Sequence, residues 1–332
     1  MDSLETIAFA RSLVDIDSTT GREAAAGEWL AARLRELGYT VVEQPLERGC
    51  ANVLATLDPP QVVFSTHFDC VPPFIPSRID GDRLYGRGSC DAKGILASQV
   101  AAAERLRASG ERRVGLLFVA GEERGSDGAA AANTIPNQCR VLINGEPTES
   151  QLALATRGAF RVRLRAAGRA AHSSIPEEGE SAIEKLVDAL AALRSLPLPS
   201  DPDLGTTSYS VGLIEGGVAP NVVPPHATAE VMFRTVGGEQ AVLDVLRQLE
   251  PRVAAEAVLH VPPIRMHVVP GFEPRVFPFT TDVPLLGAWG KPLLFGPGSI
   301  RVAHTDHEFI ALDELQAAVD AYVSLARGCL AA

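Results

Sequence analysis

At 332 residues the chain is too long for one simple core, and two domains are the reading its length supports. Its formal charge, 30 − 41 = −11, argues against nucleic acid or an anionic membrane surface as a partner, and no apolar run reaches the length of a membrane span. The five cysteines are irregularly spaced and include no Cys-x-x-Cys pair, which argues against a disulfide framework or a cysteine zinc site. Cys70 and Cys90 read as small buried thiols. The first residues carry Asp2 and Glu5 instead of a basic and apolar leader, so a cytoplasmic protein is expected.

In chain order, residues 4–14 have helical spacing through Ile7, Leu13 and Val14. Residues 17–21 read as a turn and N-cap, and 22–37 as a second helix that Gly38 ends. Residues 40–46 and 52–57 read as strands. After the turn at Pro59-Pro60, residues 61–65 form a short, nearly all-apolar strand of the kind buried on both faces. His67 and Asp69 follow where it ends, and open α/β sheets gather ligands beyond the carboxyl ends of their strands. Alternation places both side chains on one face, where Asp69 is suited to fix the tautomer of a metal-bound His67.

Residues 92–107 form the next helix, with Ile95, Leu96, Val100 and Leu106 turned inward. Asp91 stands at its N-terminus after the turn Gly86-Arg87-Gly88, and taken alone it reads as an N-cap. Residues 114–120 make another buried strand ending in Gly121-Glu122-Glu123, where one glutamate can ligate a metal while the other activates water. Residues 126–132 read as a short helix, 140–143 as a strand, and Glu146 follows that strand. A His, an Asp, a Glu pair and a further Glu beyond successive strand ends of a βαβα pattern point to a site rather than to solvated surface. Converging carboxylates raise one another's pKa, and a bound dication removes the conflict.

The texture changes after residue 155. Residues 156–166 alternate, with Phe160, Val162 and Leu164 on one face and Arg161, Arg163 and Arg165 on the other. Residues 168–174 form a turn carrying His172, and 181–196 an amphipathic helix. Strands at 207–214 and 227–236 flank the Gly/Pro/Asn-rich stretch 216–225, and a helix at 239–253 precedes a further strand at 257–261. This β-α-β-β-α order makes an α+β module inserted into the first domain. Residues 270–281 are Pro/Phe-rich and irregular. Residues 291–295 return as an apolar strand, 296–299 turn, and 300–303 lead to His304. Residues 308–330 read as the closing helix, with His307 near its first turn as the alternative to His304.

His67-Phe68-Asp69, GRGSCDAKG around Asp91, GEERGSDG around Glu122-Glu123, GEPTES at Glu146 and AHTDHE at His304 occur in an order that resembles the co-catalytic zinc amidohydrolases and exopeptidases. That family includes acetylornithine deacetylase, succinyl-diaminopimelate desuccinylase, the aminoacylases and carboxypeptidase G. The resemblance covers nearly the whole chain. It implies a mixed-sheet α/β/α metallo-exopeptidase domain at residues 1–155 with 267–332. It also implies an inserted α+β, ferredoxin-like lid and dimerisation domain at 156–266.

The resemblance further implies two divalent ions, zinc in the first place, with cobalt or manganese as alternatives. Asp91 would bridge them, His67 and Glu146 would complete one site, and Glu123 and His304 the other. Asp69 would orient His67, Glu122 would be the general base, and the Asp91–Ala92 peptide would be cis. His172 in AGRAAHSSIP matches the His that polarises the scissile carbonyl, often in a neighbouring subunit's site. Asn221 in GGVAPNVVP matches a lid Asn near the substrate, and Arg234 in AEVMFRTVG the Arg that holds a substrate carboxylate. Gly296 and Gly298, in GPGSI, would help position that carboxylate. With Glu146 in GEPT, this stretch looks most like the acetylornithine deacetylase branch. The implied reaction is removal of an acyl group, foremost acetyl, from an N-acyl amino acid in a lid-linked homodimer. A desuccinylase or a dipeptidase/carboxypeptidase is the alternative on the same site. Residues 72–80 are shorter than in many relatives and lack their Trp-containing stretch, and Asp306-His307 stands where relatives commonly place a Pro-Asp pair.

Overall fold

The computed structural model describes residues 1–331, which fall into two compact units. The first comprises Met1–Leu154, Met266–Arg275 and the residues from Thr281 on. Its centre is a six-stranded sheet in the order Thr40–Pro45, Ala51–Thr56, Val114–Val119, Val62–His67, Val141–Asn144, Lys291–Leu294. The first two pairings are antiparallel and the remaining three parallel, which makes this a mixed sheet.

Val62–His67 and Val114–Val119 are buried at every position because both faces of the sheet are covered. Period-two alternation divides their side chains. Val62, Phe64, Leu116 and Phe118 share a core with the helices Ser3–Val14, Ala24–Glu36, Lys93–Ala108 and Leu312–Ala331. Val63, Leu117, Val119 and Leu142 enter a smaller core with Ala129, Ala132, Leu286 and Trp289 on the opposite face. The result is an α/β/α arrangement. The parallel strands lie in register, with His67 beside Val119 and Ser65 beside Asn144. Their carboxyl ends therefore deliver Asp69, Glu122 and Glu146 to one edge of the sheet.

The closing helix starts at Leu312, later than the sequence pattern suggests. Phe309–Ala311 instead forms a strand that pairs with Arg83–Tyr85, which in turn pairs with Arg78–Asp80. The Phe309 ring lies 5.5 Å from that of Tyr85, and the Arg83 guanidinium sits 4.2 Å above Phe309. An apolar Phe-Ile pair suits a strand or a helix equally, and these cross-strand contacts decide for the strand. Glu308 is thereby left outside the helix.

The second unit comprises Ala155–Arg265 and Val276–Thr280. Its sheet runs Ser208–Gly216, His226–Thr235, Gly158–Ala167, Ala254–Val261, antiparallel throughout. Phe160, Val162 and Leu164 pack under the helices Ala182–Leu193 and Glu239–Leu246. On the other face Arg161 and Arg163 pair with Glu230, and Arg165 with Glu256. The second helix is shorter than its pattern, since a 3₁₀ turn at Arg247–Leu249 precedes Pro251. The irregular stretch before residue 281 contains a short strand, Pro274–Phe277. No described helix is long and apolar enough to cross a membrane.

Trp289 is fully buried in the smaller core, and its indole N–H donates to the Ala132 carbonyl at 3.1 Å. Trp289→Ala should lower the unfolding free energy by about 3–5 kcal/mol in urea denaturation, through lost burial, a cavity and an unsatisfied acceptor.

Candidate metal centre

His67 is the last residue of its strand and only 1% exposed. Its Nε2 lies 3.0 Å from Asp91 Oδ1, and its Nδ1 lies 3.0 Å from the Asp69 carbonyl oxygen. The second Asp91 oxygen, Oδ2, lies 3.3 Å from His304 Nε2, which is 2.9 Å from Glu123 Oε1. Two clusters result, His67–Asp91–Glu146 and Asp91–Glu123–His304, and within each the donor atoms lie within 4.8 Å of one another. Asp91 is common to both.

Local structure explains how each side chain arrives. Asp91 does not cap its helix. The cap position is Ala92, with no side-chain cap bond, and the Asp91–Ala92 peptide is cis. With no cap bond to make, both carboxylate oxygens face the histidines. His304 adopts φ +64°, a left-handed conformation uncommon for a residue other than glycine, in the turn after Ser299. His307 is exposed and belongs to neither cluster.

Asp69 acts differently from the expectation. Its carboxylate is 3.6 Å from His67 Nδ1, too far for a hydrogen bond, and accepts instead from the Glu122 and Glu123 N–H groups, each at 3.2 Å. The chain turns once the strand ends, so strand alternation no longer sets its direction. Asp69 therefore fixes His67 through its carbonyl and the Glu122–Arg124 3₁₀ turn through its carboxylate.

Gly296 and Gly298 are buried in the loop after Lys291–Leu294. A Cβ on Gly296 would collide with the Glu146 carbonyl oxygen, and one on Gly298 would meet Cys90 Sγ at 2.6 Å. Their carbonyls accept from Thr148, Ser150 and Glu149 N–H groups. What these glycines demonstrably permit is the close approach that seats the Glu146 turn.

The charges explain the need for cations. Burial opposes protonation of His67, but the Asp69 carboxylate close by, the hydrogen bond to Asp91 and the nearby Glu146 raise its pKa well above the usual value. Burial pushes the Asp91 carboxyl up, and His304 and His67 more than reverse this. Burial and neighbouring acids push Glu122 and Glu146 well up, against the pull of His67. Glu146 is 4% exposed, and its Oε1 has no hydrogen-bond partner among the described residues. An orphaned buried carboxylate oxygen within a set of imidazoles and carboxylates fits a pair of divalent ions.

Two residues that the sequence pattern did not single out belong to this neighbourhood. Asp282 is 1% exposed, and burial raises its pKa to about 6 against the pull of the nearby Ser126 side chain. It follows an irregular run, where no periodicity marks an inward position. Glu308 is buried against the Asp91 loop.

The remaining predicted residues lie in the second unit. His172 is exposed, and its Nδ1 lies 2.8 Å from Ser174 Oγ and accepts the Ser174 N–H at 3.2 Å. Its turn pairs with that of Asn221, since Ser173 N–H donates to the Asn221 carbonyl at 3.0 Å and His172 bridges Val222. Arg234 is half-buried on His226–Thr235, has no ion pair among the described residues, and its pKa is lowered by burial.

Comparison with known proteins gives this arrangement a family. The sequence profile described as Peptidase family M20/M25/M40 matches residues 63–328, and the chain belongs to that family. A probable carboxypeptidase of Aspergillus terreus is 37% identical over 368 residues, covering 96% of this chain and 85% of its own. Among solved structures, the aminopeptidase PepT of Bacillus cereus superposes with a TM-score of 0.82 at 21% identity, covering 99% of both chains. The YXEP protein of Bacillus subtilis, described as a dinuclear metal-binding peptidase, superposes with a TM-score of 0.75 at 16% identity, covering 98% of this chain and 97% of its own. The chain is thus a member of a hydrolase family, and none of these comparisons singles out the acetylornithine deacetylase branch.

In the metal-free protein the His304 pair with Asp91 and Glu123 requires a protonated imidazole, whose pKa those two groups raise from 6.5 to about 10. A raised pKa contributes stability that is complete below 6.5 and lost as pH climbs through about 10. Chelator-treated wild type and His304→Ala should therefore differ most in melting temperature near pH 6, with the gap closing toward pH 10.

Proposed function

We propose that this chain is a two-metal exopeptidase that hydrolyses an amide bond whose amine side bears a free carboxylate, removing the C-terminal residue of short peptides. The observation that carries this reading is the pair of donor clusters sharing Asp91, with Glu122 beside them. The likeness to a probable carboxypeptidase along 96% of the chain favours peptides as substrates. N-acyl amino acids, acetylornithine foremost, are the second reading, favoured by GPGSI before His304.

In this mechanism His67, Asp91 and Glu146 would hold one ion and Asp91, Glu123 and His304 the other. Divalent zinc, cobalt or manganese bound there would lower the pKa of a bound water and polarise the scissile carbonyl. Glu122 accepts a proton from the attacking water and passes it to the departing amine. In the neutral ring, His172 Nδ1 accepts the Ser174 N–H, which leaves the ring proton on Nε2, ready to donate to the developing oxyanion. Arg234, half-buried and without an ion pair among the described residues, supplies the planar fork for the substrate carboxylate, with Asn221 and the Gly296–Gly298 loop as further contacts. The five cysteines are free, which suits a reducing, cytoplasmic site of action.

A homodimer through the second unit completes the proposal. Its edge strand Ser208–Gly216 leaves Leu213 58% and Ile214 62% exposed, and a long apolar edge invites pairing with a second copy. Sedimentation of wild type should give a dimer, and Leu213→Lys with Ile214→Lys should give a monomer. A wild-type monomer would remove this part of the reading.

The substrate test is a panel of dipeptides and tripeptides, their C-terminal amides, N-acetylornithine and N-succinyl-diaminopimelate, each with zinc-, cobalt- and manganese-loaded protein. Cleavage of free peptides but not of their amides is expected. Preference for N-acetylornithine over every peptide would establish the second reading, and inertness toward all free carboxylates would defeat both. Glu122→Gln should bind metal as wild type does while kcat falls roughly 10²- to 10⁴-fold.

A further inference from the structure

Arg87 and Glu308 are each 2% exposed and form an ion pair at 2.7 Å. Glu308 Oε1 accepts three backbone N–H groups, from Gly88 at 3.0 Å, Cys90 at 3.1 Å and Asp91 at 3.0 Å, while Oε2 takes the Arg87 Nη1. Gly86 and Gly88 have φ +141° and +86°, conformations open to glycine that turn these N–H groups toward one point. The loop is thus an anion-binding concavity whose anion is a side chain. Arg87 in turn donates to the Thr305 carbonyl at 3.1 Å and to the Pro73 carbonyl at 3.3 Å.

We propose that the buried Arg87–Glu308 pair is a positioning clamp for the two-metal centre. It fixes the loop that presents Asp91 and binds it to the segments carrying His67 and His304. A buried ion pair is in itself poor evidence for stability, because the desolvation of both charges offsets their attraction. The partners argue for positioning. Asp91 is held by its own N–H, Thr305 adjoins His304, and Pro73 lies shortly after Asp69. Every bond of the pair ends on a segment that presents a metal donor or its orienting residue. Supporting contacts of this kind set the direction of metal ligands, and their loss weakens metal binding.

The inference rests on the metal reading above, and its test keeps the two apart. Cobalt affinity would be measured by chelator competition in wild type, Glu308→Gln and Arg87→Lys. Visible cobalt absorption and melting of the chelator-treated proteins would be recorded alongside. Glu308→Gln keeps the size and one acceptor but removes the charge facing Arg87, whereas Arg87→Lys keeps the charge and loses the fork. Both variants should bind cobalt roughly 10- to 100-fold more weakly than wild type and show an altered cobalt spectrum. Affinity and spectrum equal to wild type, with only a lower melting temperature, would reduce the pair to a stabilising contact and overturn the proposal. Loss of the fold in both variants would overturn it in the same way. Wild-type protein that takes up no cobalt would refute the metal reading itself, a separate result.

Discussion

Asp91 presents one carboxylate oxygen to His67 at 3.0 Å and the other to His304 at 3.3 Å. Around this one group the fold gathers Glu122, Glu123, Glu146 and Asp282, all acidic, with Glu146 and Asp282 buried and the other two half-buried. Such a set resists ionisation, since each charge lacks water and faces others of its sign. The two imidazoles relieve only part of it. What remains, an orphaned Glu146 oxygen and raised carboxyl pKa values, is a cost the protein alone does not offset. The site is accordingly built for positive charge that side chains do not supply. The rest of the first unit follows from the need to hold that arrangement still.

The means of holding it are mostly backbone. Three parallel strands end in register, which fixes where His67, the Glu122–Glu123 turn and Glu146 begin. Asp69 then joins the first two ends by accepting two N–H groups with its carboxylate and His67 Nδ1 with its carbonyl. Thr148 and the Gly296 loop exchange hydrogen bonds that seat the third. Each donor is therefore oriented by a group that touches another donor's segment. Displacing one ligand should disturb its neighbours more than its own burial suggests.

Much of this was legible in the sequence for a simple reason. Short all-apolar runs at 61–65 and 114–120 admit little but buried strands, and acids directly after such runs are anomalous as surface. His67, Glu122, Glu123 and Glu146 each have an ordinary reading singly but stand out together, because each follows a strand end. Asp91 did not, because an Asp before a helix is ordinarily a cap. Only its place among the other motifs set it apart. Glu308 was hidden by its neighbours. Phe309-Ile310 continues an apolar pattern into the helix, and the strand that replaces the first turn depends on Arg83 and Tyr85, more than two hundred residues away in sequence. Asp282 stood in a stretch with no period, and there burial leaves no trace in composition. Helix and strand ends slipped for a related reason. Caps and 3₁₀ turns, such as that before Pro251, are settled by local hydrogen bonds that apolar spacing does not encode.

The division between Glu122 and Glu123 shows how adjacent, identical side chains acquire separate tasks. Both N–H groups are held by Asp69, so the turn that carries them is fixed. Within it Glu123 reaches His304 at 2.9 Å, whereas no described residue hydrogen-bonds the Glu122 carboxylate. Burial and the acids around it raise the Glu122 pKa well above that of an ordinary glutamate. In the proposed role this elevation is useful. Nearby cations lower a carboxyl pKa, and a carboxyl already raised by burial and neighbouring acids ends less low than an ordinary one would. A general base works best when its pKa lies near the operating pH, strong enough to take a proton from water and weak enough to return it. The crowding of acids that makes the centre demand cations thus also raises the pKa of the glutamate proposed as the base.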